Sequence, residues 1–93
     1  MIVGVARLEL YMPANTSLKD KRRVLTSLME RTRRRFNVAI AELEANDSWE
    51  HAVLGVCCIA NARRHVEQLL DHVIRWIDAE TGGQLVRYQA EFL

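Results

Sequence analysis

The nine residues Ala52-Val53-Leu54-Gly55-Val56-Cys57-Cys58-Ile59-Ala60 decide the fold. Successive side chains of a strand point to opposite faces, so an uninterrupted apolar run is apolar on both. Such a run, too short for a buried helix, belongs in the middle of a sheet. On its N-terminal side Asn46-Asp47-Ser48 is a turn cluster, preceded by the strand-like residues 37–43, NVAIAEL. On its C-terminal side Asn61 is a suitable N-cap for a helix. The apolar stripe of that helix is Ala62, Val66, Leu69, Leu70, Val73, Trp76 and Ile77, and Gly82-Gly83 ends it. A last strand, 84–92, alternates Val86, Tyr88, Ala90 and Phe92 with Leu85, Arg87, Gln89 and Glu91.

The N-terminal part completes the pattern. Residues 2–12 place Ile2, Ala6, Leu8 and Leu10 on one face and Val3, Val5, Arg7, Glu9 and Tyr11 on the other. Pro13 ends this strand. Ser17-Leu18-Lys19-Asp20 then reads as a capping box, with Ser17 capping and Asp20 reaching back. At ~100° per residue the helix from 18 to 35 gathers Leu18, Leu25, Leu28, Met29, Thr32 and Phe36 on one side. Lys19, Arg23, Arg33 and Arg34 point away from it. The resulting order, βαββαβ, predicts a single ferredoxin-like α+β domain over residues 1–93. Its antiparallel sheet has the strand order 4-1-3-2, with both helices on one face and the other face open.

With 93 residues, 49% of them hydrophobic and 27% charged, the chain has the balance of one globular core. No stretch approaches the ~20 apolar residues of a membrane span. MIVGVARLEL has no basic lead-in and reads as a strand, not a signal peptide. Cys57 and Cys58 are adjacent, which rules out an ordinary mutual disulfide and zinc-ligand spacing. Both are expected as small core residues in a reducing, cytoplasmic setting. His51, His65 and His72 have no partners at ligand spacing, so neither a metal nor a cofactor is expected. Trp49 is expected to close one end of the core.

The net charge is only +1, yet residues 17–36 carry +6, leaving −5 elsewhere. Eight basic side chains share that segment: Lys19, Lys21, Arg22, Arg23, Arg31, Arg33, Arg34 and Arg35, against Asp20 and Glu30. Positive charge at a helix N-terminus works against the helix dipole, so its presence there asks for an offsetting benefit. Unpaired amides and a positive dipole end favour phosphate at that terminus.

The series Ser17-Leu18-Lys19-Asp20-Lys21-Arg22-Arg23-Val24, Arg33-Arg34-Arg35-Phe36-Asn37-Val38 and Asp47-Ser48-Trp49 resembles the bacterial YlxP-like family, small proteins of unknown function. The resemblance spans essentially the whole chain and implies a ferredoxin-like fold. It also implies a translational setting, because in many bacteria the gene lies near those for translation initiation factor 2 and ribosome-binding factor A. The family has no established active site to carry over.

The expected function is therefore a non-enzymatic domain that binds ribosomal RNA or a ribosome-associated protein through the basic helix. Ser17, Lys19, Lys21, Arg22, Arg23, Arg33 and Arg34 form its anion-binding surface. Lys21 lies nearest the apolar stripe, where its stem can pack. The open sheet face, with Val3, Val5, Arg7, Glu9 and Tyr11 and, from the last strand, Arg87, Gln89 and Glu91, is expected to be a homodimer or partner interface, which turns Val86 and Tyr88 toward the helices. Base stacking there is disfavoured, because both central strands are aliphatic. The alternatives are a purely protein-interaction homodimer and a small anion-handling enzyme of acylphosphatase type. The latter needs a glycine-rich phosphate loop, and Met12-Pro13-Ala14-Asn15-Thr16 contains no glycine.

Overall fold

The computed structural model of the chain describes residues 1–44 and 47–93. The elements run β1 (Ile2–Tyr11), α1 (Leu18–Arg35), β2 (Ala39–Glu42), β3 (His51–Ala60), α2 (Arg63–Glu80) and β4 (Leu85–Phe92). The sheet order is β2-β3-β1-β4, all antiparallel, which is the expected order read from the other edge. β1 and β3 are the central pair and stay in register from Ile2↔Ala60 to Tyr11↔His51. The doubly apolar run at 52–60 thus occupies the centre, as its composition requires. Of the turn expected at Asn46-Asp47-Ser48, Asn46 lies outside the described residues.

Alternation in β1 sends Ala6, Leu8 and Leu10 into the core, where they meet Leu54, Val56 and Cys58 of β3. Leu25, Leu28 and Thr32 of α1 and Val66, Leu70, Val73 and Ile77 of α2 close the core from the helix side. At Gly4 a Cβ would clash with Val66 Cγ1 and stand 2.9 Å from Leu70 Cδ1, so α2 lies directly on the strand there. α1 begins as the capping motif predicts. Ser17 Oγ accepts from the Asp20 N–H at 3.0 Å, and an Asp20 carboxylate oxygen accepts from the Thr16 N–H at 3.2 Å.

Four local expectations are corrected. The N-cap of α2 is Ala62, without a side-chain cap, because β3 runs on to Ala60 and leaves Asn61 one residue early. The second strand is shorter than residues 37–43, since pairing with β3 covers only Ala39 to Glu42. Trp49 does not close the core: it is 46% exposed, and its carbonyl accepts a 2.9 Å bond from Asn15 Nδ2. In β4 a register shift opposite Glu9 and Leu10 sets Leu85 against Leu10 and Arg87 against Glu9. Leu85 thereby moves off the open face and packs on the core, a consequence of inserting one residue into a period-two pattern. Gly82 and Gly83 end α2 as expected, with φ of +64° and +85° that favour glycine.

Candidate nucleic-acid interface

Helical geometry distributes the basic residues of α1 around three sides of its cylinder. Lys19, Arg22, Arg23 and Arg34 are exposed to solvent. No hydrogen bond or ion pair engages the side chains of Lys19 or Arg22 among the described residues. Arg23 meets Asp20 at 2.5 Å, and Arg34 lies 3.8 Å from Glu30; both guanidinium groups remain more than three-quarters exposed. Exposed pairs of this kind contribute only ~0.2–0.5 kcal/mol and yield readily to a phosphate. From Lys19 to Arg34 this surface runs about 22 Å at the helical rise.

Three expected members have polar groups engaged within the chain. Lys21 is 2% exposed; its ammonium donates to the Ser48 carbonyl at 2.9 Å and lies 3.8 Å from Glu42. It belongs to the packing of α1 against the β2–β3 side and not to the solvent surface. Arg33 donates at 2.8 Å to the carbonyl of Ile40, covering the outer edge of β2. Ser17 spends its hydroxyl on the helix cap.

Arg31 and Arg35 turn the other way, toward α2. Arg31 pairs with Glu80 at 2.7 Å, and both guanidinium groups lie about 6 Å from the Trp76 ring centre. Phe36 meets Trp76 edge-on at 5.7 Å. These cations fasten the C-terminal end of α1 to α2.

The open sheet face is divided. On the β2 side, Val5, Ala39, Ala41, Leu43, Gly55 and Cys57 line an apolar depression of about 300 Å³. From β1, Arg7 reaches across β3 to Glu44, just past β2, at 2.6 Å and approaches Glu9 at 3.9 Å. Val3 and Val5 are half-buried, and Tyr11 lies at the strand end with its ring 5.2 Å from that of His51. Burial pushes the Cys58 thiol pKa up, and the neighbouring Cys57 adds to the shift. Among the described residues, no group of three His, Cys, Asp or Glu side chains is gathered to hold a metal ion. No described helix is long and apolar enough to cross a membrane.

A family described as a protein of unknown function, DUF503, matches residues 3–90. This chain belongs to DUF503. It is 32% identical over 78 residues to the uncharacterized protein YlxP of Bacillus subtilis strain 168, covering 84% of this chain and 85% of that protein. Two designed proteins of known structure share the DUF503 chain's fold. Foldit4 superposes with a TM-score of 0.55 at 14% identity, over 99% of this chain and 94% of the design. The ferredoxin-fold design LFR1 1 gives 0.54 at 10% identity, over 100% and 83%. The DUF503 domain is thus ferredoxin-like, and these two likenesses speak to fold alone.

Two features of this DUF503 structure escaped the sequence. The Arg31–Trp76–Arg35 cluster joins residues far apart in the chain, and periodicity carries no signal for it. A groove of about 510 Å³ runs between Asp71, Ile74, Arg75 and Asp78 of α2 and Leu85–Tyr88 of β4. Strand alternation placed Val86 and Tyr88 facing a helix, yet they are 61% and 58% exposed because α2 stops short of the sheet edge.

Proposed function

We propose that this DUF503 protein is a non-catalytic module that lays the outer side of α1 along the sugar-phosphate backbone of ribosomal RNA. The observation that carries this reading is the exposed row Lys19, Arg22, Arg23 and Arg34, two of whose cations have no partner among the described residues. An unpaired cation on a rigid helix has no ion pair to break when it meets phosphate, and the contact releases counterions. Ribosomal RNA is the chosen class because genes of YlxP-like relatives lie beside those of translation factors. Such contacts position a protein without reading bases, so sequence preference is slight.

An anion-handling enzyme is disfavoured by the chemistry of the loop before α1. Asn15 is 8% exposed and gives its amide to the Trp49 carbonyl at 2.9 Å, while Asp20 takes the Thr16 N–H. A loop whose polar groups are engaged in this way, with a carboxylate at its end, is a poor cradle for a phosphoryl oxygen.

The test is binding to ribosomal RNA fragments across a salt series. Affinity falls with a log–log slope of about −0.7 to −0.9 per phosphate contacted, and the variant Lys19→Ala/Arg22→Ala flattens it by about 1.5 units. Binding by that variant as tight as the parent's at every salt concentration would refute the reading. Turnover of an acyl phosphate would instead favour the enzyme.

A further inference from the structure

We propose that the free edge of β4 pairs with β4 of a second copy of this chain, antiparallel about Gln89, to form a two-fold dimer with one continuous sheet. This surface is distinct from the open face and does not rest on the RNA reading. β4 is an outer strand of the sheet and eight residues long. Between Val86 and Glu91 it is exposed on both faces, unlike any other strand of the sheet. The opposite edge, β2, has only four residues, and Arg33 caps its Ile40 carbonyl. A long uncapped edge without proline or lysine is a template for a further strand.

The backbone fixes which register is possible. Val3 and Leu93 exchange both N–H···O bonds, at 3.0 and 2.7 Å, and the β1–β4 register is unbroken from Gly4↔Phe92 to Glu9↔Arg87. Arg87, Gln89, Glu91 and Leu93 therefore turn their backbone groups toward β1. Tyr88, Ala90 and Phe92 turn theirs outward. An antiparallel partner must oppose outward residues to outward residues, which removes every register of the wrong parity.

Charge selects among those that remain. With Gln89 on the two-fold axis, Arg87 stands opposite Glu91 of the partner subunit, and the symmetry repeats this pair. Tyr88 then exchanges both N–H···O bonds with Ala90 of the partner subunit, and Phe92 lies opposite Val86 of the partner subunit. A slip of two residues sets Arg87 against Gln89 or Leu93. A slip of four sets arginine against arginine or glutamate against glutamate. The segment Leu85–Leu93 is thus chemically palindromic about Gln89. On the helix side, Tyr88 and Val86 border the groove beside Ile74, into which the apolar side chains of the partner strand extend. Such a self-complementary patch closes at two subunits.

Sedimentation analysis and a charge-swap cycle test the dimer. The parent chain sediments at twice its monomer mass. Arg87→Glu and Glu91→Arg each weaken association by about tenfold, and the double swap restores it, since like-charged cross-strand pairs become opposite again. Ala90→Pro removes an outward amide that β1 does not use and abolishes the dimer, while circular dichroism reports an unchanged fold. Where Ala90→Pro fails to fold, loss and rescue in the charge-swap cycle still decide. A parent chain that stays monomeric at high concentration overturns the proposal. So does a dimer indifferent to the single swaps.

Discussion

Lys21 shows how much a single side chain depends on where its helix lands. Its neighbours in sequence are solvent-exposed cations, yet its own ammonium lies buried against Ser48 and Glu42. Replacing it with methionine keeps the stem packing and leaves the polar groups around it short of a donor. Lys21→Met should lower stability by about 1–3 kcal/mol in urea unfolding and leave the salt slope of RNA binding unchanged. A flattened slope with normal stability would return Lys21 to the binding surface. The two adjacent cysteines separate on the same principle. Cys58 points into the core and Cys57 to the open face. With its folded thiol pKa raised, Cys58 stays protonated where the unfolded chain has already ionised. Its contribution to stability is present below the unfolded pKa and is lost as pH rises through the folded one. Alkylation of the native protein should therefore modify Cys57 first, and Cys58 only at strongly alkaline pH or on unfolding. Equal rates for the two thiols at neutral pH would contradict this.

At the level of elements, the two helices are held by different means. α2 rests on the sheet through close apolar contact, as at Gly4. α1 is fixed by its Ser17–Asp20 cap, by Leu25 and Leu28, and by polar ties at both ends: Lys21 to Ser48, Arg31 to Glu80. Gly4→Ala forces Val66 and Leu70 outward and should cost about 1–3 kcal/mol of stability. Val66→Ala in the same chain should recover part of that loss, a coupling that a double-mutant cycle measures. Additive losses would show that the strand and helix do not approach so closely.

At the level of the whole molecule, charge and apolar surface are segregated. The cations of α1 lie on the helix layer toward the β2 side, whereas the self-complementary strand forms the opposite sheet edge. A dimer through β4 extends the sheet to eight strands and leaves both copies of α1 on the same face of it. The proposed RNA binding and the proposed association thus use separate surfaces. Loss of the dimer in Arg87→Glu should leave the α1 contacts of each subunit intact, and the salt series and sedimentation read the two independently.

Strand–helix–strand order, the central position of residues 52–60, the cap at Ser17 and the net positive charge of α1 were all legible in the sequence. Each follows from local rules: alternation, helical period, capping chemistry and the apolar demand of a doubly covered strand. The same rules set Lys21 beside the apolar stripe and Lys19 away from it, but they could not show that the Lys21 ammonium itself is buried, because its partners Ser48 and Glu42 are supplied only by the β2–β3 side. Nor could they find the bulge that moves Leu85 onto the core, since one inserted residue is invisible until β1 supplies the register. The exposure of Val86 and Tyr88, and the outward turn of the Tyr88 and Ala90 amides, were likewise settled by tertiary structure. Amphipathic patterns say that a face seeks cover; only the reach of α2 across the sheet determines whether it finds any.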